Sequence, residues 1–405
     1  MKLSRILAAV TLAAALGGWA TGPAAAAIPA SPSAPAPDTA PEPQARMIGE
    51  ELTASVAVLY TSDRQSRQEI RHPGAAYVKV HFSQLRLAPG DYVTVSNPAG
   101  TEVHTYHGKR TDGDADHTQH GRAGFGAMSI DGDVAVITLH ATGKRSADQL
   151  TKRGYGAFTD GYWRGYSEEE IIANNPSPRS VCATDARRNV VCYQTSFPTE
   201  YSRSRAVAKL LIGGGGSCTT WRVGSTNRLL TNKHCFSTQA QVASSEVQFN
   251  YQCTTCTGTT AGAGTKVSGS TLIKVSPGSS SQLDYTLYSV NNFANIGSFG
   301  YLVLETTASA TGQRIYIPGH GDGSPKRLSI YEDTQGGTQC TIKNANINTY
   351  NISYSCDTSG GNSGSPVLNA NHKVVALHHL GGCPNNQGAK IHLIYNDIKN
   401  DIVNS

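Results

Sequence analysis

Charge is sparse in this chain. Only 16% of its 405 residues are Asp, Glu, Lys or Arg, and the formal net charge is +5. No basic block with interleaved aromatics occurs, which argues against a nucleic-acid partner. Long helical periodicities are scarce, whereas glycine, at 42 residues, is plentiful. That balance favours β structure with many turns. No internal repeat of fixed period is visible, which argues against a solenoid or propeller. Cysteine is missing before Cys182, although nine occur in all, so any cross-linking is confined to the C-terminal half. Beyond the N-terminal leader, no segment is apolar enough over sufficient length to span a bilayer as a helix. The glycine run Gly213–Gly216 is followed by no Gly-Lys-Ser/Thr, so it is not a phosphate loop.

The leader reads as an export signal. Met1 to Arg5 is short and basic, Ile6 to Leu16 is apolar and Ala-rich, and Ala25-Ala26-Ala27 offers small residues for cleavage. Residues 1–27 are therefore expected to be a signal peptide, and the protein to be secreted. Residues 28–46 are Pro, Ala and Ser, a linker without core-forming side chains. Residues 47–179 carry short β-rich runs, among them Ala76–Phe82, Tyr92–Ser96 and Val134–Leu139. Asn97-Pro98-Ala99-Gly100 and Asp131-Gly132-Asp133 punctuate them, as expected for a small antiparallel sandwich. Asp112, Asp114 and Asp116 resemble the start of a calcium loop, but His117 stands where its glycine belongs and Ala123 where its closing Glu belongs. That stretch reads as solvated loop. Ser167 caps an expected short helix over 168–172, and Pro176-Ser177-Pro178-Arg179 then breaks the chain. Residues 180–405 form the second region, with many short strands and a short terminal helix expected over Asp397–Ser405.

The chemistry is concentrated in that second region. Asp357-Thr-Ser-Gly-Gly-Asn-Ser-Gly-Ser-Pro366 sets Ser363 among Gly360, Gly361 and Gly364. A serine hydroxyl is a poor nucleophile without a base and without donors aimed at the developing oxyanion. A tight Gly-rich turn can aim the N–H groups of Gly361 and Ser363 at one point. Upstream, His234 follows the apolar run Leu229-Leu230 and lies between Cys218 and Cys235, whose closure would fix its loop. A neutral imidazole is the usual base for serine. The imidazole in turn needs a carboxylate to orient it. Of the aspartates between His234 and Ser363, Asp284 begins a strand-like run that could bury it. Asp322, Asp333 and Asp357 lie in turns, in a polar stretch or too close to Ser363.

The order His234, Asp284, Ser363, with Thr-Asn-Lys-His and Gly-Gly-Asn-Ser-Gly-Ser-Pro around the first and last, resembles the trypsin/chymotrypsin superfamily. Within it the motifs look like the secreted bacterial branch of glutamyl and lysyl endopeptidases. The resemblance covers residues 180–405. It implies an all-β protease domain of two six-stranded antiparallel barrels with the active site between them, and a β-rich prodomain ahead of it. It implies His234, Asp284 and Ser363 as the catalytic residues of a serine endopeptidase made as a zymogen, and Gly361 and Ser363 N–H groups as the oxyanion hole. It also implies that His378, His379, Leu380 and Gly381 belong to the strand that pairs with substrate. By the same likeness Cys218 pairs with Cys235, Cys182 with Cys383, and Cys340 with Cys356, while Cys192 pairs with Cys253 or Cys256. A zinc or redox role for Cys253 and Cys256 is disfavoured, because no second cysteine pair completes a site. No metal and no cofactor is required. The partners expected are protein or peptide substrates and the chain's own prodomain, with no nucleic acid and no membrane, and the protein is expected to be a monomer.

Specificity is less defined. Asp357, with Thr358 beside it, matches the base of the trypsin substrate pocket and favours Lys or Arg before the cleaved bond. Some glutamyl endopeptidases also carry Asp-Thr there and read Glu with a histidine of the substrate strand, which keeps that alternative open for His378 and His379. A non-catalytic binding module with a protease fold is a second alternative, and a lasting adhesion or carbohydrate-binding role for the N-terminal sandwich is a third. Where trypsin-like enzymes place an Asp to receive a new N-terminus, this chain has Asn362. The prodomain is therefore expected to act by blocking the cleft or assisting folding, with cleavage after Arg179.

Overall fold

Strands form where β-branched and aromatic residues cluster. The computed structural model describes residues 44–108, 117–121, 123–175, 180–181 and 183–404. The expected signal segment, the Asp112–Asp116 loop, Arg179 and Cys182 lie outside the described residues. All described residues belong to one unit, Glu42–Ser405. Among them no helix is long and apolar enough to cross a membrane.

The N-terminal region is a sandwich of two antiparallel sheets. One sheet joins Gln65–Arg71, Val134–His140, Tyr92–Ser96 and Val103–His107; the other is built on Gly156–Gly165 and Tyr77–Arg86. Val80, Phe82, Val93, Val95, Tyr106 and Ile137 fill the space between them. The short helix Glu168–Asn174 starts at a full capping box, in which the Ser167 hydroxyl accepts from Glu170 N–H and the Glu170 carboxylate accepts from Ser167 N–H.

The second region has two β units. In the first, Gly216–Arg222, Val207–Ile212, Ser245–Phe249, Thr265–Val275, Thr286–Val290 and Leu229–Thr231 pair in that order. Leu229–Thr231 pairs back onto Gly216–Arg222, so the barrel closes on six strands. The second is a half-barrel running from Arg327–Ser329 through Ile315–Gly319, Pro366–Asn369, Val374–Leu380, Asn386–Lys390 and Asn351–Tyr354 to Ile342–Asn344. Single bridges, Arg314 to Thr341 and Tyr331 to Gln339, draw its ends together in place of a full ladder. One core serves both units: Trp221, Leu230 and Leu287 of the first pack with Tyr316, Leu368 and Leu377 of the second.

Two expectations shift. The terminal helix is Ile391–Ile398 rather than Asp397–Ser405, because Ile391, Ile394 and Ile398 supply the buried stripe and the last residues have none. Arg46, expected to end a linker, is already in a strand: Arg46–Met47 pairs antiparallel with Ser217 and Gly216.

The sandwich docks on the first barrel through buried charge. Lys79 Nζ donates to the Glu246 carboxylate, to Thr118 Oγ1 (2.7 Å) and to Ala127 O (2.8 Å). Glu246 also accepts from Ser129 Oγ at 2.8 Å. Lys266 of the barrel reaches Glu102 at 2.6 Å and Asp131 at 2.9 Å in the sandwich. An apolar cluster of Ile48, Tyr77, Trp163, Ile171 and Leu211 completes the contact.

Candidate active site

Two paired strands bring the candidate base and its carboxylate together. Thr231, at the end of Leu229–Thr231, is opposite Thr286, at the start of Thr286–Val290. The residues just beyond those ends, Asn232 to His234 and Asp284, must therefore lie side by side. Lys233 N–H and the Asn232 amide both donate to Asp284 O, at 3.1 and 2.8 Å. His234 N–H donates to Asp284 Oδ1 at 3.0 Å, and His234 Nδ1 lies 2.7 Å from Asp284 Oδ2. A carboxylate accepts only, so Nδ1 carries a proton, and in the neutral imidazole the lone pair is then on Nε2. Nε2 is buried and has no hydrogen-bond partner among the described residues. The Cys218–Cys235 disulfide ties the loop after His234 to the neighbouring strand.

Asp284 has a second histidine. His379 Nδ1 lies 3.2 Å from Asp284 Oδ2 and 3.0 Å from Ser280 O; both are acceptors, so this Nδ1 is also protonated. Burial pushes the Asp284 carboxyl upward, yet the two imidazoles outweigh it and hold the group below the ordinary carboxylate range.

The Ser363 loop belongs to the half-barrel but is fastened to the first barrel. Thr219 N–H donates to Ser363 O at 2.8 Å, Thr219 Oγ1 to Gly361 O at 2.9 Å, and Trp221 Nε1 to Gly364 O at 3.0 Å. Gly361 has φ 94° and Gly364 φ 88°. A Cβ at Gly364 would strike Thr219 O and Thr231 Oγ1, so the close approach of the two units requires glycine there. Among the described residues, neither Gly361 N–H nor Ser363 N–H donates to another group.

The expected substrate residues separate. Asp357 is buried and accepts from Ala186 N–H at 2.8 Å. Burial pushes its carboxyl up to about 6, against that hydrogen bond. Thr358 is buried, and its hydroxyl has no hydrogen-bond partner among the described residues. His378 and His379 point apart, as adjacent strand residues do. His378 Nδ1 lies 2.7 Å from the Tyr354 hydroxyl, and burial lowers its pKa to about 3. The side chain of His379, expected on the substrate wall, backs Asp284. Leu380 is half-buried and Gly381 exposed. Of the cysteines, Cys192 bonds Cys256 and Cys340 bonds Cys356, while Cys253 is a buried free thiol whose pKa burial raises. Cys383 is disulfide-bonded, and its expected partner Cys182 lies outside the described residues.

A family model for the trypsin-like peptidase domain matches residues 216–377. Secreted RxLR effector protein 73 of Plasmopara viticola is 30% identical over 338 residues, 80% of this chain and 79% of that protein. The chain belongs to the trypsin/chymotrypsin superfamily. Among solved structures, a Glu endopeptidase in complex with MPD is similar at 22% identity, with a TM-score of 0.41 over 55% of this chain and 98% of that one. The active form of the Rv3671c protease from M. tuberculosis is similar at 13% identity, with a TM-score of 0.38 over 55% of this chain and 90% of that one.

Several groups that shape the site in this trypsin-like domain escape motif reading. Thr219 fixes the Ser363 loop, yet nothing in Ser-Cys-Thr-Thr-Trp marks it. Tyr354 supports His378 from another strand. Arg187 donates to Ser359 Oγ at 2.6 Å, and its guanidinium is held by Asp185 at 2.8 Å. The pattern Asp-Ala-Arg over 185–187 offered a local ion pair as a signal, but not the bond from Arg187 to Ser359.

Proposed function

We propose that the protein is a secreted serine endopeptidase, made as a zymogen, that cleaves after Lys or Arg. One observation carries the reading: His234 is held by Asp284 through Nδ1, its Nε2 has no hydrogen-bond partner among the described residues, and the adjacent Cys235 is bonded to Cys218, the neighbour of the Thr219 that fastens the Ser363 loop. In this mechanism Ser363 Oγ attacks the scissile carbonyl carbon as His234 Nε2 takes its proton. The carbonyl π electrons move to oxygen, and the N–H groups of Gly361 and Ser363 stabilise that oxyanion, a contribution of about 3–4 kcal/mol. Collapse expels the amine, which takes the proton from His234, and leaves an acyl-Ser363. Water repeats the sequence and releases the acid. Asp284 keeps the imidazole in the required tautomer and stabilises the imidazolium.

Secretion is supported by the basic-then-apolar leader, by the disulfides and by a relative that is itself named a secreted effector. Basic specificity is supported by Asp357, a buried carboxylate with a raised pKa that a Lys or Arg side chain would relieve. Glu specificity finds less support: His378 is neutral in its buried setting, and His379 is committed to Asp284.

The test is labelling by a serine-directed phosphonate, which should modify the native chain and fail after Ser363→Ala. Peptides differing only before the cleaved bond (Arg, Lys, Glu, Leu) then read specificity. Cleavage after Arg and Lys that loses its preference in Asp357→Ser supports the proposal. Cleavage after Glu that disappears in His378→Ala would replace basic specificity with the glutamyl reading.

A further inference from the structure

The strand Arg46–Met47 lies beside the candidate site. It pairs with Ser217 and Gly216, and the next residues of that partner strand are Cys218, bonded to Cys235, and Thr219, which holds Ser363. Ala45 packs on the apolar cluster that contains Cys218, Cys235 and Phe236. Arg46 extends across the Ser363 loop: a Cβ on Gly360 would lie 2.7 Å from Arg46 Cδ. Its guanidinium meets Asp322 at 3.0 Å and donates to Asn175 O at 3.2 Å. Asp322 is itself fixed to that loop, because its N–H donates to Gly360 O at 2.5 Å. The other edge of the strand is clamped by Asn175, whose side chain accepts from Met47 N–H (3.2 Å) and donates to Met47 O (2.8 Å). Ile48 N–H then donates to Gly215 O at 2.8 Å, and the chain enters the sandwich at Gly49–Thr53.

The direction of this segment matters. Ala45 is at the disulfide that anchors His234, Arg46 is on the loop just ahead of Ser363, and Met47 and Ile48 lead away. Backbone pairing to a strand edge gives affinity, and a side-chain pocket beside it gives selectivity. Here the pocket is Gly360, with no side chain, and Asp322, with a negative charge.

We propose, building on the protease reading, that Ala45–Ile48 occupies the half of the substrate cleft that receives the residues after the cleaved bond. Arg46 fills a subsite whose selector is Asp322. That subsite takes Arg or Lys as the second residue after the bond in substrates, and the leader strand excludes such peptides while it is in place. Arg46 and Asp322 are only 10% and 26% exposed, so their attraction is less screened than that of a surface pair.

The test uses the full chain and two substrates. One is a peptide with Arg at the second position after the bond, and the other is a coumarylamide that has no residue there. Arg46→Glu repels Asp322 and should raise the peptide-to-coumarylamide ratio of kcat/KM about fivefold to tenfold. Asp322→Asn should erase the advantage of an Arg peptide over its Ala counterpart. An unchanged ratio in Arg46→Glu, in chains whose Ser363 reacts with the phosphonate, overturns the proposal. Absence of labelling in every variant instead defeats the protease reading. In that case binding of a fluorescent Ala-Arg-Met-Ile-Gly peptide to the Arg46→Glu chain decides this one. Binding that is lost when Asp322→Asn is added supports it, and no binding overturns it.

Discussion

Replacing Lys79 by Met tests what holds the sandwich on the first barrel. The change keeps the length of the side chain and removes its charge. Lys79 is fully buried and Glu246 is 2% exposed, so Glu246 would be left as a carboxylate without its nearest cation. Breaking one side of a buried pair typically costs about 3–5 kcal/mol. Glu246 would keep its bonds from Ser129 N–H and Oγ, and Lys266 remains close enough to favour its charge. The loss should therefore fall near the lower bound, about 3 kcal/mol. Urea unfolding of the full chain, followed by tryptophan fluorescence, reads it, because Trp163 reports on the sandwich and Trp221 on the barrel core. Adding Glu246→Gln should return much of the loss, since the orphaned charge is then gone.

The pH dependence supplies a sign. In the native chain burial pushes Glu246 up, but Lys79, Lys266 and the Ser129 bonds together hold it below the ordinary range. Its contribution is thus present above the unfolded carboxylate pKa, about 4.3, and constant between pH 8 and 5. In Lys79→Met the burial effect gains weight and the folded pKa rises. A raised carboxyl is a penalty at high pH that is relieved as pH falls. The gap between variant and native chain should then narrow from pH 8 to pH 5. A loss below about 1 kcal/mol, or losses that simply add in the double variant, would refute the reasoning.

Asp284→Asn should leave the fold intact and lower kcat by about ten-thousandfold, because an amide can stabilise the wrong imidazole tautomer; steady-state kinetics on a fluorogenic peptide measures this. Joint replacement of Cys218 and Cys235 by Ser should cost about 2–5 kcal/mol in urea unfolding and reduce turnover, since the bridge positions the loop of His234. Asp357, pushed up to about 6, loses its charge as pH falls through that value, so selectivity for Arg over Leu before the cleaved bond should decline between pH 7 and pH 5. The same raised pKa makes Asp357 a stability penalty above pH 6 that fades on acidification, so Asp357→Asn should raise the melting temperature at pH 8 more than at pH 5.

What was legible in the sequence depended on local contrast. Val134–His140 and Tyr92–Ser96 stand out as apolar runs between turn signals. Ser167 and Glu170 spell a capping box three residues apart. By contrast, Gln65–Arg71 is an edge strand with one buried residue, Ile70, and carries no apolar pattern to read. Gly216–Arg222 is buried throughout although it contains Ser217, Thr219 and Thr220. The run Thr220–Val223 reads as a strand, but the polarity of Ser217 and Thr219 hides where it begins, because Thr219 is satisfied by Gly361 O, a contact made only after folding. The contacts of the candidate site divide in the same way. Glycine density and the spacing of His, Asp and Ser can be seen along the chain. The destination of His379 cannot, because it depends on a strand returning past Ser280 and Asp284 from far downstream.

Asn362 links the loop chemistry to the leader strand. In trypsin-like zymogens an Asp at this place waits for a new amine, and the loop is incomplete until the ion pair forms. Here Asn362 Oδ1 accepts from Ser359 N–H at 3.2 Å and its amide donates to Ser365 Oγ at 3.3 Å. A neutral side chain satisfied within its own turn requires no amine to order it. The uncleaved chain already has Gly361 and Ser363 in a loop fastened by Thr219 and Trp221. If that loop is formed before processing, control must act on access rather than on assembly of the oxyanion site. Arg46–Met47, paired to the strand that carries Thr219, lies where access would be controlled. Cutting the chain between sandwich and protease would not by itself remove this strand, because the Lys79–Glu246 and Lys266–Asp131 contacts hold the sandwich without a covalent link. On the proposed zymogen reading, full activity would require loss of the sandwich as well as cleavage, and the strength of that buried docking surface would set the threshold for activation.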